Sequence, residues 1–350
     1  MRAAASAHIA LGGAGRVPAA APGQPSGLAQ RRFAGEVARL AVGSLHAELC
    51  LYPKPGLVSL VDSGSHHDMD ASTFMRSLFS LRRYFKAICL AGLHDAPFSQ
   101  LKQLGIAAEA AMLKATHGVN THRGAIFSLG LLCATAGRAR AQGTPMTPAA
   151  LRATMLIRWG EDLAMHAGAA TGTGTGTTAA AAAAPTTTAA HPTMPAMPAM
   201  PAMPTAPTTP TPATSNGLRV AARYAASGAR EEGALGLPSV FEIGVPALQA
   251  SRARGATMTM ARIDALFALM AHISDSNVYH RAGPDGARTV KLHAQRFLEA
   301  GGTANRHWHE QALESHRLFV QRRLSPGGAA DLLAASCLVQ SISALDAGWR

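Results

Sequence analysis

Groups able to hold a phosphate or move a proton gather in four short clusters of this chain, each flanked by apolar sequence. The first joins Pro53-Lys54-Pro55-Gly56 to Asp62-Ser63-Gly64-Ser65-His66-His67-Asp68-Met69-Asp70. Each proline sets its own dihedral and restricts the residue before it, so Lys54 is carried on a stiff, extended backbone. Held that way, a lysine can point at phosphate; the plainer reading is a solvated turn residue. Asp62, Asp68 and Asp70 offer oxygen ligands of the kind Mg2+ takes alongside waters and phosphate. Asp68 or Asp70 could equally cap the helix that follows.

The second cluster is Gly118-Val119-Asn120-Thr121-His122-Arg123-Gly124. Asn120 and Thr121 are natural caps, which places His122 and Arg123 in the first turn of a helix. Cations there oppose the helix dipole by about a few tenths of a kcal/mol, and a bound polyphosphate reverses the sign. The third cluster, Asp275-Ser276-Asn277 with His280-Arg281, leaves a Leu- and Met-rich stretch. A carboxylate at a helix C-terminus also opposes the dipole and calls for a cationic partner. In the fourth, Leu324-Ser325-Pro326-Gly327-Gly328-Ala329-Ala330-Asp331, Ser325 reads as a cap and Pro326 as the first helical residue. Two glycines in a first turn cost about 1 kcal/mol each relative to alanine. Gly327 and Gly328 would let a ligand approach backbone N–H groups closely.

Helices must position these clusters. Hydrophobic residues make up 48% of the 350, aromatics only 5%, and alanine is heavily used, a mixture suited to close helix packing. Phe74, Leu78, Leu81, Phe85 and Ile88 recur at intervals of four and three, one face of a helix that Asp70 or Ser72 can cap. Thr147 and Pro148 open another, carrying Leu151, Met155, Trp159 and Leu163. Further helices are expected over 35–51, 98–116, 123–140, 257–274, 285–300, 303–322 and 326–345, with no convincing period-two strand. The Gly-Thr, alanine and Met-Pro-Ala run of 169–216 cannot build a core and reads as a disordered insertion. Its Gly172-Thr-Gly174-Thr-Gly176 alternation lacks the lysine, strand and helix of a phosphate loop. The expected fold is all-α, one helical domain in two sequence halves, 33–168 and 217–350, behind a disordered tail, 1–32.

A formal charge of +12 calls for an anionic partner. No dense basic run with interleaved aromatics occurs, which argues against nucleic acid and leaves a basic surface or a phosphate-rich small ligand. Cys50, Cys89, Cys133 and Cys337 form no CxxC pair and read as buried free thiols. No run reads as a membrane span or signal core, so a cytoplasmic location is expected.

Taken in order, the clusters resemble the triphosphoribosyl-dephospho-CoA synthase family, which serves citrate lyase and malonate decarboxylase. The resemblance runs from about Glu36 to Ala344, outside the low-complexity stretch. It carries Glu48, Pro53-Lys54-Pro55-Gly56-Leu57-Val58, Gly64, His66 and Asp68-Met69, and Gly118 through Gly130. After the insertion it carries Arg230-Glu231-Glu232-Gly233, Asp275-Ser276-Asn277, Arg281 and Leu324 through Asp331. Ser59, His67, Arg123 and Ser276 depart from the citrate-lyase branch and look more like the malonate-decarboxylase branch.

The resemblance implies that the 2′-hydroxyl of 3′-dephospho-CoA attacks the anomeric carbon of the ATP ribose and adenine leaves. The product is a prosthetic-group precursor that a separate transferase loads onto an acyl-carrier subunit. For this reaction Asp68 and Asp275 are candidate Mg2+ ligands, and Lys54, Asn120, Arg123 and Arg281 candidate ATP and phosphate ligands. Gly327 and Gly328 would add backbone N–H groups. Glu48 or Glu232 would take the hydroxyl proton, and His66 or His122 would protonate adenine. One rival is a helical His-Asp metal phosphohydrolase using His46 and His67-Asp68. Another is a non-catalytic scaffold recruiting a partner through the Met-Pro-Ala run.

Overall fold

The computed structural model describes residues 27–171 and 228–345, and no strand occurs among them. The low-complexity run from 172 onward and the tail before residue 27 lie outside the described residues. The first half contains α1 (Gly27–Leu49), α2 (Ala71–Ser80), α3 (Arg82–Leu93), α4 (Phe98–Ala115), α5 (Arg123–Gln142) and α6 (Pro148–Thr171). The second contains α7 (Ala229–Ala234), a π-helical turn (Ser239–Gly244), α8 (Val245–Ala253), α9 (Met258–His272), α10 (Ser276–Glu299), α11 (Trp308–Gln321) and α12 (Gly327–Leu345).

Side-chain spacing explains how the elements pack. In α1, Phe33, Val37, Ala41, Leu45 and Leu49 recur every fourth residue and are all buried, a stripe facing the core. Almost every residue of α5 from Ala125 to Ala139 is buried, as expected of a helix apolar on all sides. The same holds for α12, which by length and apolarity alone could cross a membrane. It packs instead against α1 and α5, so the two sequence halves share one core. Small residues let α3 and α5 approach closely. A Cβ on Gly92 would fall 1.9 Å from the Ala134 carbonyl oxygen, and one on Gly137 would fall 2.1 Å from that of Cys89.

Several boundaries differ from those expected. Helix α1 begins at Gly27, inside the expected tail, and α6 continues past Ala169 to Thr171. The single helix expected over 74–88 is two, broken at Leu81, where the Ser80 hydroxyl donates back to the Ser77 carbonyl at 2.6 Å. Helix α10 starts at Ser276, well before Asp285, and kinks at Gly283, with φ 62° and Pro284 next to it. The elements of 229–253 were not expected, since Gly233, Gly236, Pro238 and Pro246 interrupt the periodicity there. Cys89, Cys133 and Cys337 are buried, but Cys50 is exposed against His46.

Candidate active site

Where α1, α5, α10 and α12 converge, the four polar clusters border one cavity of about 1110 Å³. Small-molecule pockets span about 300–1,000 Å³, so this one lies just beyond the large end of that range. Glu48, His66, Asp68, Asn120, His122 and Arg123 line it, as do Glu232, Asp275, Arg281, Gly327 and Gly328.

Lys54 stands behind the wall. It is 1% exposed, and its Nζ lies 2.6 Å from Glu48 Oε1. Burial lowers the lysine's pKa, and the Glu48 carboxylate opposes that shift. Lys54 is therefore the counter-ion of Glu48, not a phosphate ligand. Its backbone carbonyl accepts from His316 Nδ1 at 2.9 Å, while His316 Nε2 faces Asp62 at 3.3 Å. The other Asp62 oxygen accepts the Gly64 N–H, so Asp62 serves the loop. Asp70 caps α2 at 2.8 Å through a capping box with Thr73, whose backbone and hydroxyl donors bring the carboxyl down to about 2.

Asp275 lies at the start of α10, where its charge suits the dipole. The conflict expected at a helix C-terminus does not arise. Its carboxylate accepts the N–H of Asn277 at 2.9 Å and of Ala329 at 3.1 Å, fastening the first turn of α10 to that of α12. This contact also gives Gly327 and Gly328 their purpose. A Cβ on Gly328 would meet Asp275 Oδ2 at 3.0 Å, and one on Gly327 would meet Asn277 Nδ2 at 2.9 Å. The Gly327 N–H already donates to the Ser325 carbonyl, and Asp275 accepts from Gly328. These donors are committed within the protein and do not form a phosphate cradle.

The two histidines differ. His66 Nδ1 accepts from Arg281 Nη2 at 3.0 Å, which leaves its proton on Nε2, 2.8 Å from Ser325 Oγ. Burial and the Arg281 charge bring its pKa down to about 4, so it is a neutral ring with both nitrogens engaged, unsuited to protonating adenine. His122 occupies the N-cap position of α5, one residue ahead of the expected first turn, and Asn120 Oδ1 accepts the Arg123 N–H. Its Nδ1 lies 2.6 Å from Ser77 Oγ, which is 2.7 Å from the Thr121 hydroxyl. Burial and the nearby Lys54 charge bring His122 down to about 3. Its Nε2, buried at the cavity wall, has no hydrogen-bond partner among the described residues. A neutral imidazole with one free nitrogen can hydrogen-bond a ligand. No cluster contained Ser77; only the hydroxyl's place beside the α2 face could have marked it.

Arg123 pairs with Glu109, a resident anion that answers its clash with the α5 dipole. Arg281 uses part of its fork on Ser65 O and His66 and keeps the remainder at the cavity. Glu232 accepts from the backbone and hydroxyl of Ser239, while burial raises its pKa.

The sequence gives no sign of the role of one further carboxylate at this wall. Asp331, in the first turns of α12, lines the cavity beside Gly124, whose Cβ position falls 2.2 Å from Asp331 Oδ2. Burial first, then the charges of Glu48 and Asp275, push it well above the ordinary carboxylate range against one N–H from Ala125.

No group of three His, Cys, Asp or Glu among the described residues could enclose a metal ion. Asp275 spends its oxygens on backbone donors, whereas Asp68 lines the cavity with a side chain 63% exposed. Such a site fits Mg2+ arriving with phosphate oxygens and taking one protein carboxylate. A His-Asp hydrolase centre does not assemble, since His46 contacts Cys50 and neither His46 nor His67 lines the cavity.

Comparison with known proteins identifies the family. A 2-(5''-triphosphoribosyl)-3'-dephosphocoenzyme-A synthase of Pectobacterium atrosepticum is 34% identical over 85% of this chain and 85% of its own length. Proteins named "Probable 2-(5''-triphosphoribosyl)-3'-dephosphocoenzyme-A synthase" from Pseudomonas putida and Stutzerimonas stutzeri are 36% and 38% identical, covering 93% and 89% of this chain and 99% and 92% of their own. No solved structure matches. The family model described as ATP:dephospho-CoA triphosphoribosyl transferase matches residues 34–349, and the chain belongs to that family.

Proposed function

We infer that the protein transfers the triphosphoribosyl group of ATP to the 2′-hydroxyl of 3′-dephospho-CoA and releases adenine. The observation that carries this reading is the meeting, at one cavity, of the ion-paired carboxylate Glu48 with Asp331, whose carboxyl burial pushes well above the ordinary carboxylate range. A carboxylate paired with a lysine suits a proton acceptor, and a carboxyl raised by burial suits a proton donor. Glu48 takes the hydroxyl proton as the new O–C1′ bond forms. Asp331 delivers a proton to adenine as the C1′–N9 bond breaks. The proton lost at the hydroxyl equals the one gained by the base, so the reaction is balanced.

The positive charge developing on the ribose lies near the Glu48 and Asp275 carboxylates. His122 Nε2, the free nitrogen at the wall, hydrogen-bonds the leaving base. Arg281 and Arg123 hold the triphosphate at the rim. Mg2+, held by Asp68 and phosphate oxygens, would neutralise part of the triphosphate charge. The product would reach an acyl-carrier subunit, of malonate decarboxylase on the branch resemblance, through a separate transferase.

Purified protein given ATP, 3′-dephospho-CoA and Mg2+ is expected to release one adenine per acceptor consumed, measured by chromatography. Release of phosphate or pyrophosphate without adenine would refute the reading. Gly124→Ala tests the geometry. The added methyl displaces Asp331 from its place over the α5 start, and turnover is expected to fall about 10²-fold. Circular dichroism should remain helical.

A further inference from the structure

We propose that the lobe of the cavity built by α4, α5, α6 and α7 seats the acceptor nucleotide, with the adenine ring of 3′-dephospho-CoA against Phe98, Phe127 and His166 and its diphosphate against Lys102 and Arg230. The proposal rests on the transfer reaction inferred above and assigns residues which that chemistry leaves unused.

Helix α4 turns a stripe to the cavity: Phe98, Leu101, Lys102, Gly105, Ile106 and Glu109 recur at intervals of three and four, and all line it. Most of that stripe is not packed into the core, since only Leu101, Ala108 and Met112 of α4 are buried. Ile106 is 61% exposed. Aromatic groups from three helices meet here. The His166 ring centre lies 5.5 Å from that of Phe98 and 6.4 Å from that of Phe127, whose plane it matches within 27°. Burial, then the charges of Arg230 and Lys102, bring His166 down to about 4, so at neutral pH it is an uncharged ring with two cations nearby.

Flat apolar faces beside cationic side chains suit a purine carrying phosphates. The reaction brings two adenines into one cavity. The donor's adenine belongs beside Asp331 and His122, the groups that serve a departing base, which leaves this lobe to the acceptor's.

Phe98→Leu keeps apolar bulk and removes the ring; Lys102→Gln removes the charge. Phe98→Leu is expected to raise KM for 3′-dephospho-CoA about tenfold and Lys102→Gln about fivefold, with KM for ATP shifting less than about twofold. Calorimetric titration with 3′-dephospho-CoA, no ATP present, should show Kd rising in parallel. A rise in KM for ATP instead would give the lobe to the donor and overturn the proposal. So would adenine release at normal rates with both KM values unmoved. Protein that binds 3′-dephospho-CoA, weakens on Phe98→Leu and yet releases no adenine would overturn the transfer reading while the lobe stands. Failure of both binding and release overturns both.

Discussion

Lys54→Met is expected to destabilise the folded protein by about 3–5 kcal/mol, because it strands the buried Glu48 carboxylate without its counter-ion. Urea denaturation should show the midpoint falling without a change in slope. Glu48→Gln in the same chain should restore most of the loss, since it removes the stranded charge, but not activity. A phosphate-binding lysine would behave differently: KM for ATP would rise while the urea midpoint held. The two outcomes separate the sequence expectation for Lys54 from the role its geometry supports.

Asp331→Asn should yield a protein that is more stable and nearly inactive. The carboxyl's pKa is raised in the folded state, so wild-type stability from this group is fully present below the ordinary aspartate value of 3.8 and declines as pH rises toward the folded value. Asparagine does not titrate and keeps an oxygen for the Ala125 N–H. The variant's advantage in thermal midpoint should therefore be absent below about pH 4 and grow as pH rises above it. Turnover should fall about 10²–10⁴-fold through loss of the general acid. A variant that melts at the wild-type temperature across this range, or keeps its turnover, would remove Asp331 from the mechanism.

Much of the fold was legible because its signals are local. The Thr147-Pro148 opening of α6 and the buried run Leu151, Met155, Trp159 and Leu163 needed nothing beyond periodicity. The break at Leu81 was hidden, since Leu81 is itself buried and continues the apolar stripe on either side. The 229–253 elements were hidden because a short helix, a π-helical turn and a helix begun near Pro246 share no period.

For the site, residue types were readable but partners were not. Asp275 reads as the end of α9, and only the structure shows it opening α10 with its oxygens taken by two helix starts. Lys54 looks free in a Pro-Lys-Pro-Gly turn until Glu48, six residues upstream on α1, is seen to claim it. Asp331 resembled an ordinary acidic residue in a helix's opening turns, because the charges that raise its pKa come from Glu48 and Asp275, far away in sequence.

The Gly283–Pro284 kink divides α10 into two levers with different attachments. The short lever, bearing Arg281, is joined to α12 by the Asp275 carboxylate at the Ala329 N–H, and Arg281 itself donates to the Ser65 carbonyl. The long lever meets α9 through Lys291, which donates to the His272 carbonyl, and α11 through His293 at Ser315. Arg281 and Asp331 are thereby referred to one junction of two helix starts, whichever way the long lever runs beyond Gly283.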